Sequence, residues 1–361
     1  MGTATAAETQ DYDRMAELRA FDELKLGVKG LMDSNSSSIP RFFVHPPESR
    51  VIPAVGPRPS ALIPTVDLSA PHAMAAAQIR QAASSWGFFN LVNHGIDPTL
   101  LQSTIDSVKT FNEQPHAQKA PYYTRDPANG VAFATNFDLY QSKAASWRDT
   151  LQVRMSPVPA DPGFLPEPCR APLLEWGEQA TSVAERLMGF LSESLGLGLE
   201  FFKGMSGLEG RQLVAHYYPC CPEPELTVGL AGHSDPGLLT VLLQDQVGGL
   251  QVLNEEEWID VRPVPGALVV NVGDLLQIVS NGVYKSVEHR VLANPSKDPR
   301  ISVAIFYSPG KRDDSTFYGP IEELLSPQNP PKYRNFTMTE YLGTFFNKGL
   351  KRNSLLDHFK L

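Results

Sequence analysis

The chain has 361 residues, 42% of them hydrophobic and 20% charged, which is globular composition with enough length for a large core. Its formal net charge is −9 and no long Lys/Arg run occurs, so neither nucleic acid nor an anionic membrane surface is an expected partner. No stretch of about 18 apolar residues appears, so no membrane-spanning helix is expected either.

The opening "MGTATAAETQDYDRM" lacks a basic region followed by an apolar one, and Ala6 breaks the myristoylation pattern. A cytoplasmic location is the default expectation. "YDRMAELRAFDELKLGVKGLMDSN" reads as one helix, with Leu18, Phe21, Leu24 and Val28 at three- and four-residue spacing. The following "SSSIPRFFVHPPESRVIPAVGPRPSALIP" carries seven prolines, a density that forbids a long helix. It is either a linker or, given Ile39, Phe42, Phe43 and Val44, an arm docked on the surface.

"ALIPTVDLS" is a short strand candidate. In "AAAQIRQAASSWGFFNLVNHGID" a helix runs into a strand, with Gly87 breaking the two apart. "LLEWGEQATSVAERLMGFLSESLGL" is a helix whose stripe of Ala180, Val183, Ala184, Leu187, Leu191 and Leu195 is core. Cys169, Cys220 and Cys221 are odd in number, two of them adjacent, which fits free thiols in a reducing compartment. From residue 211 eight short β-type runs alternate with turns: "QLVAHYYP", "LTVGLAGHSD", "GLLTVLLQD", "GLQVLN", "EEWIDVRPV", "ALVVNVGDLLQIVS", "YKSVEHRVLAN" and "RISVAIFYSP". That texture suggests a sandwich or barrel. "TEYLGTFFNKGLKRNSLLDHF" returns to helix, and no internal repeat occurs.

Three features carry chemistry. In "AGHSDPG", His233 and Asp235 stand two apart and would point to one face if the run is a strand end. The alternative is a turn histidine beside a capping aspartate. His289 in "YKSVEHRVL", 54 residues past Asp235, can supply a third corner from a neighbouring strand. Two histidines and one carboxylate leave open coordination positions on one side, an arrangement suited to non-haem Fe(II). In "RISVAIF", alternation places Arg300 and Ser302 on one face with Ala304 and Phe306. An arginine among apolar strand neighbours is costly to bury without an anion, and a bound carboxylate would supply one. Ser302 and Tyr218 could add hydroxyls, and a barrel-rim arginine facing water is the other reading.

Taken together, His233-x-Asp235, His289 and Arg300-x-Ser302, with "IPTVDLS", "WGFFNLVNHGI" and "YYPxCP…GHSDPGLLTVLLQD…GLQV", resemble the plant 2-oxoglutarate- and Fe(II)-dependent dioxygenases from about residue 60 to 345. The resemblance implies an α+β fold. Its core would be a double-stranded β-helix (jelly-roll, cupin-like) flanked by helices, with a helical N-terminal region and a C-terminal helix. The domain organisation expected is an N-terminal helix and Pro-rich arm (1–60), a mixed region with a long supporting helix (61–205), the jelly-roll domain (206–312) and a helical tail (313–361).

The resemblance further implies that His233, Asp235 and His289 ligate Fe(II), and that Tyr218, Arg300 and Ser302 bind 2-oxoglutarate. O2 would be the second co-substrate and ascorbate the reductant. Where the family usually has Asn before two tyrosines, this chain has His216, which puts a hydrogen bond near the co-substrate in doubt. Phe306 matches an aromatic that often faces substrate, or is barrel core. Phe133, Phe137, Tyr140, Phe345 and Phe346 are candidates for an aromatic pocket, against ordinary packing.

"FDELKLGVKGLMDSNSSSIPRFFVHPP" resembles the subgroup named as homologues of 1-aminocyclopropane-1-carboxylate oxidase. With "FDLYQSKAASWRDTL" it is similar to grass dioxygenases acting on benzoxazinoid glucosides, such as DIBOA-glucoside. Ring hydroxylation of such a specialised metabolite, releasing succinate and CO2, is the activity that this implies, by a monomer acting on a small molecule. True 1-aminocyclopropane-1-carboxylate oxidation, another hormone or phenolic oxidation, a non-catalytic small-molecule-binding jelly roll and a zinc hydrolase are the competing readings.

Overall fold

The computed structural model describes residues 12–34, 36–51, 62–310, 314–348 and 354–361. In chain order the elements are α1 (Arg14–Glu23), α2 (Gly27–Asp33), β1 (Thr65–Asp67), α3 (His72–Ser85), β2 (Phe88–Val92), α4 (Pro98–Glu113), the short α5 (His116–Lys119), β3 (Val131–Thr135), β4 (Asp149–Ser156) and the long α6 (Glu167–Ser194). The short α7 (Phe201–Gly204) then leads into β5 (Gly210–Tyr218), β6 (Val228–His233), β7 (Leu239–Gln244), β8 (Leu250–Asn254), β9 (Glu257–Asp260) and β10 (Leu268–Val272). The chain closes with α8 (Asp274–Val279), β11 (His289–Leu292), β12 (Arg300–Ser308), β13 (Phe317–Tyr318), β14 (Phe336–Thr337), α9 (Met338–Lys348) and α10 (Ser354–Phe359).

Two sheets build the core of the jelly roll. The large one runs β1-β2-β10-β7-β12-β5-β4-β3 and the small one β6-β11-β8-β9. The outer face of β12, through Ile301, Val303 and Ile305, joins a core with Val183, Leu187 and Leu191 of α6. The alternation expected for "RISVAIF" therefore holds, and Arg300, Ser302, Ala304 and Phe306 are turned to the space between the sheets. All eight strands expected after residue 211 are present. The large sheet also takes β1 to β4 from the N-terminal half, of which β3 and β4 were not expected. β4 pairs with β5 about 60 residues downstream and β3 pairs with β4 across a 13-residue connection, so no tight-turn signal reveals them.

Two helical expectations need correction. The first helix is two, broken where Lys25 and Gly27 adopt φ of 53° and 68°. The break lets the Asp149 carboxylate reach the amides of Val28 and Lys29, at 2.8 and 2.9 Å, and cap α2 from a distant strand. "ALVVNVGDLLQIVS" is not a strand throughout, because Asp274–Val279 is helical. Leu275, Leu276, Ile278 and Val279 are all buried, so this helix shows no amphipathic period to distinguish it from a buried strand.

The arm is docked over the residues described. Ile39, Phe42 and Phe43 are buried with Leu18, Phe21 and Trp147, and the Phe43 and Trp147 rings meet edge-on at 4.9 Å. Residues 52–61 of the arm lie outside the described residues. The tail is helical as expected, in α9 and α10.

Candidate metal and co-substrate site

The two sheets enclose a cavity of about 360 Å³. Its triad is assembled by strand register. His289 stands directly opposite His233 where β11 pairs antiparallel with β6, and the imidazole rings lie 4.3 Å apart. Asp235 lies two residues past the end of β6, and its Oδ1 is 3.7 Å from His233 Nε2 and 3.6 Å from His289 Nε2. Ligand atoms of the three side chains fall within 4.8 Å of one another, the one such cluster of His, Cys or acidic residues among the described residues.

The surroundings aim these atoms inward. His233 Nδ1 lies 2.9 Å from the Ala231 carbonyl, which fixes the tautomer that donates there and leaves the Nε2 lone pair free. The other oxygen of Asp235, Oδ2, accepts from Thr240 Oγ1 at 2.6 Å and Asn271 Nδ2 at 2.8 Å. Oδ1 is left facing the histidines. Burial, with the neighbouring His289 adding to it, pushes the His233 imidazole down to about 4, so it is neutral near pH 7. Burial works to raise the Asp235 carboxyl, but the two histidines and the hydrogen bonds from Thr240 and Asn271 outweigh it and leave it below the usual range. Two imidazoles and one carboxylate, held on one side of an open space, are a fitting donor set for Fe(II). Gly237 is required by close approach, since a Cβ there would lie 2.5 Å from the Tyr307 carbonyl oxygen.

Deeper in the cavity lies Arg300, 1% exposed, with its guanidinium carbon 5.0 Å from the Tyr218 ring centroid. Nη1 donates to Ser302 Oγ at 3.1 Å and Nη2 to Gln244 Oε1 at 3.0 Å. Arg300 makes no ion pair among the described residues. Buried Arg300 Nε, Tyr218 Oη and Gln244 Nε2 have no hydrogen-bond partner, so donors collect here without an acceptor. Burial raises the Tyr218 hydroxyl despite both Arg300 and Arg148, keeping it a donor. That donor cluster fits the far carboxylate of 2-oxoglutarate. His216 hydrogen-bonds through Nδ1 to Thr150 Oγ1 at 3.0 Å, and burial holds its imidazole well below its ordinary range.

Of the aromatic candidates, Phe137, Phe306, Phe345 and Phe346 line the cavity. Phe133 does not: it is buried in the core against Phe111 and Tyr123, because its position on β3 points away from the space between the sheets. Tyr140 is also elsewhere, its hydroxyl bound to Asp22 Oδ2 at 2.9 Å. Sequence reasoning missed Arg148, Gln152 and Gln212, which face the cavity from the β4–β5 side. Alternation along "RDTLQV" would have grouped Arg148, Thr150 and Gln152 had β4 been recognised. Met338 and Leu342 of α9 also line the mouth, and Tyr341 Oη donates to the Pro236 carbonyl at 2.8 Å, tying α9 to the turn after Asp235.

Comparison with known proteins agrees with this geometry. The model of the 2OG-Fe(II) oxygenase superfamily matches residues 210–309, and that of the non-haem dioxygenase in morphine synthesis N-terminal region matches 63–176. The chain is 45% identical over 360 residues to 1-aminocyclopropane-1-carboxylate oxidase homolog 6 of Arabidopsis thaliana, covering 98% of this chain and 100% of the relative. A homologue of the same name from Solanum lycopersicum is 42% identical over 360 residues, 98% of each chain. Among solved structures, JOX2 in complex with 2OG, Fe and JA superposes with a TM-score of 0.82 at 35% identity, over 93% of this chain and 97% of the other. The dioxygenase for auxin oxidation of rice superposes at 0.69 with 26% identity, over 83% and 100%.

Proposed function

Because the chain belongs to the 2OG-Fe(II) oxygenase superfamily and is a dioxygenase using Fe(II) and 2-oxoglutarate, we propose that it hydroxylates a plant specialised metabolite, with a benzoxazinoid glucoside as the favoured substrate. His233, Asp235 and His289 would hold the metal, and Arg300, Ser302 and Tyr218 the far carboxylate of the co-substrate. Fe(II) with 2-oxoglutarate and O2 supplies the oxidising power, and the co-substrate leaves as succinate and CO2. The protein contributes orientation and exclusion of water. Thr240 and Asn271 fix the Asp235 carboxylate, and Phe137, Phe306 and Phe345 wall the substrate space with apolar surface.

The observation carrying the glucoside reading is the mixed wall of that space. The side-chain amides of Gln152 and Gln212 line the cavity together with the aromatic side chains, Gln212 directly paired with Phe306 across β5 and β12. A ring with attached hydroxyls would use both surfaces, the amides for hydroxyls and the phenyl rings for the aromatic portion. A second reading, oxidation of an acid such as JA, is favoured by the 0.82 superposition on JOX2 in complex with JA. The deciding experiment incubates the protein with Fe(II), 2-oxoglutarate and ascorbate against benzoxazinoid glucosides, other phenolics and acidic hormones, reading succinate and product mass. A glucoside that gains one oxygen with matching succinate is the expected result. Turnover confined to the acids would replace it.

A further inference from the structure

One buried cation has no role in the site so far. Arg148 is 2% exposed, lines the cavity, and donates from Nη1 to the Gly229 carbonyl at 3.1 Å. Its Nε has no partner. It makes no ion pair among the described residues. Asp138 and Asp149 act on it only through space, and the Asp149 carboxylate is engaged on the other face of β4 by Thr135 and the α2 amides. Leaving a guanidinium buried in this way is costly unless an anion completes it.

Strand register shows where that anion would lie. Asp149 pairs with Tyr217, and Tyr218 pairs with Arg300, so Arg148, one step before Asp149, continues the row across three strands. Two guanidiniums thus flank the Tyr218 phenol, and both act electrostatically on it and on His216. The backbone of β6 comes close at this level: a Cβ on Gly229 would lie 2.9 Å from the Tyr218 ring, so only glycine lets the strand present its carbonyl to Arg148. Trp147, locked against Phe43 of the docked arm, holds the neighbouring backbone, and its amide donates to the Val228 carbonyl at 2.8 Å. Phe306 and Gln212, opposite each other on β12 and β5, lie six residues from this row, roughly 20 Å along the strands. Arg148 is therefore at the Arg300 end of the cavity, away from Phe306 and Gln212, with Phe137, two residues past the Thr135–Asp149 pair, the aromatic wall residue on its side.

We propose that Arg148 is a second guanidinium for the distal carboxylate of 2-oxoglutarate, acting across Tyr218 from Arg300. The inference rests on the co-substrate reading of the site. A carboxylate has two oxygens and about four lone-pair sites, enough to accept from Arg300, Ser302, Tyr218 and a further charged donor. The doubled charge would favour a dicarboxylic keto acid strongly over a monocarboxylic one.

The test uses the whole protein loaded with Fe(II) and kept free of oxygen. Calorimetry measures binding of 2-oxoglutarate and of 2-oxopentanoate, which shares the chelating head and lacks the distal carboxylate. Arg148→Gln is expected to lower the preference for 2-oxoglutarate about tenfold. Arg148→Lys, which keeps the charge but loses the planar fork, lowers it about threefold and decides the matter if the glutamine variant does not fold. The ratio within one variant cancels any general loosening of the site. An unchanged ratio overturns the proposal, and so does equal weakening of both ligands, which would make Arg148 a strut between β4 and β6. If the unaltered protein binds neither keto acid, it is the co-substrate reading that fails.

Discussion

His233 shows how a single side chain here depends on its partners. Its Nδ1 is committed to the Ala231 carbonyl and its Nε2 faces Asp235, so replacing it removes one corner of the donor set and nothing fills the gap. His233→Ala is expected to abolish both metal binding and turnover, measured by metal content and succinate release. Asn271 never touches the metal in this scheme, yet it holds Asp235 Oδ2. Asn271→Ala should weaken Fe(II) affinity about 10- to 100-fold with the fold intact, as read by metal titration. The depressed imidazole also makes a prediction about pH. In the folded protein His233 takes up a proton at about 4 against 6.5 ordinarily, so between those values the unfolded chain binds the proton that the folded one refuses. Metal-free protein should therefore have the full contribution above about pH 6.5 and lose it as pH falls toward 4, seen as a falling Tm. No fall across that window would mean that the imidazole is not buried neutral.

Among the elements, the break between α1 and α2 depends on an interaction far away in sequence. Gly27, at φ of 68°, brings the start of α2 so close to β4 that a Cβ would lie 2.7 Å from the Asp149 carboxylate oxygens. Gly27→Ala should cost about 2–3 kcal/mol through the left-handed backbone and the displaced cap, measured by denaturant unfolding. Neither the glycine nor the aspartate announces this in the sequence, where the helical period runs unbroken from Leu18 to Val28. By contrast α6 and β12 were legible. Their periods of 3.6 and 2 extend over many residues and match what each buries. α8 escaped because a helix buried all round has no polar face to mark it.

In the whole molecule, the cavity mouth is lined by an element outside the jelly roll. α9 brings Met338, Leu342, Phe345 and Phe346 to the mouth, and one hydrogen bond, Tyr341 Oη to the Pro236 carbonyl, links it to the turn that bears Asp235. Tyr341→Phe removes a bond of about 1 kcal/mol. It should raise the KM for the organic substrate severalfold while leaving 2-oxoglutarate affinity unchanged, which steady-state kinetics on both can separate. Sequence alone determined the strand texture, the HxD pair, the third histidine and the inward face of β12, because each depends on spacing along a strand or on residue chemistry. It could not place Phe133 and Phe137, four residues apart in one segment, on different sides of the sheet. Nor could it bring Arg148 beside Tyr218. Both depend on which strand lies next to which, and pairing between β4 and β5 is set by packing of segments some 60 residues apart rather than by anything either segment carries on its own.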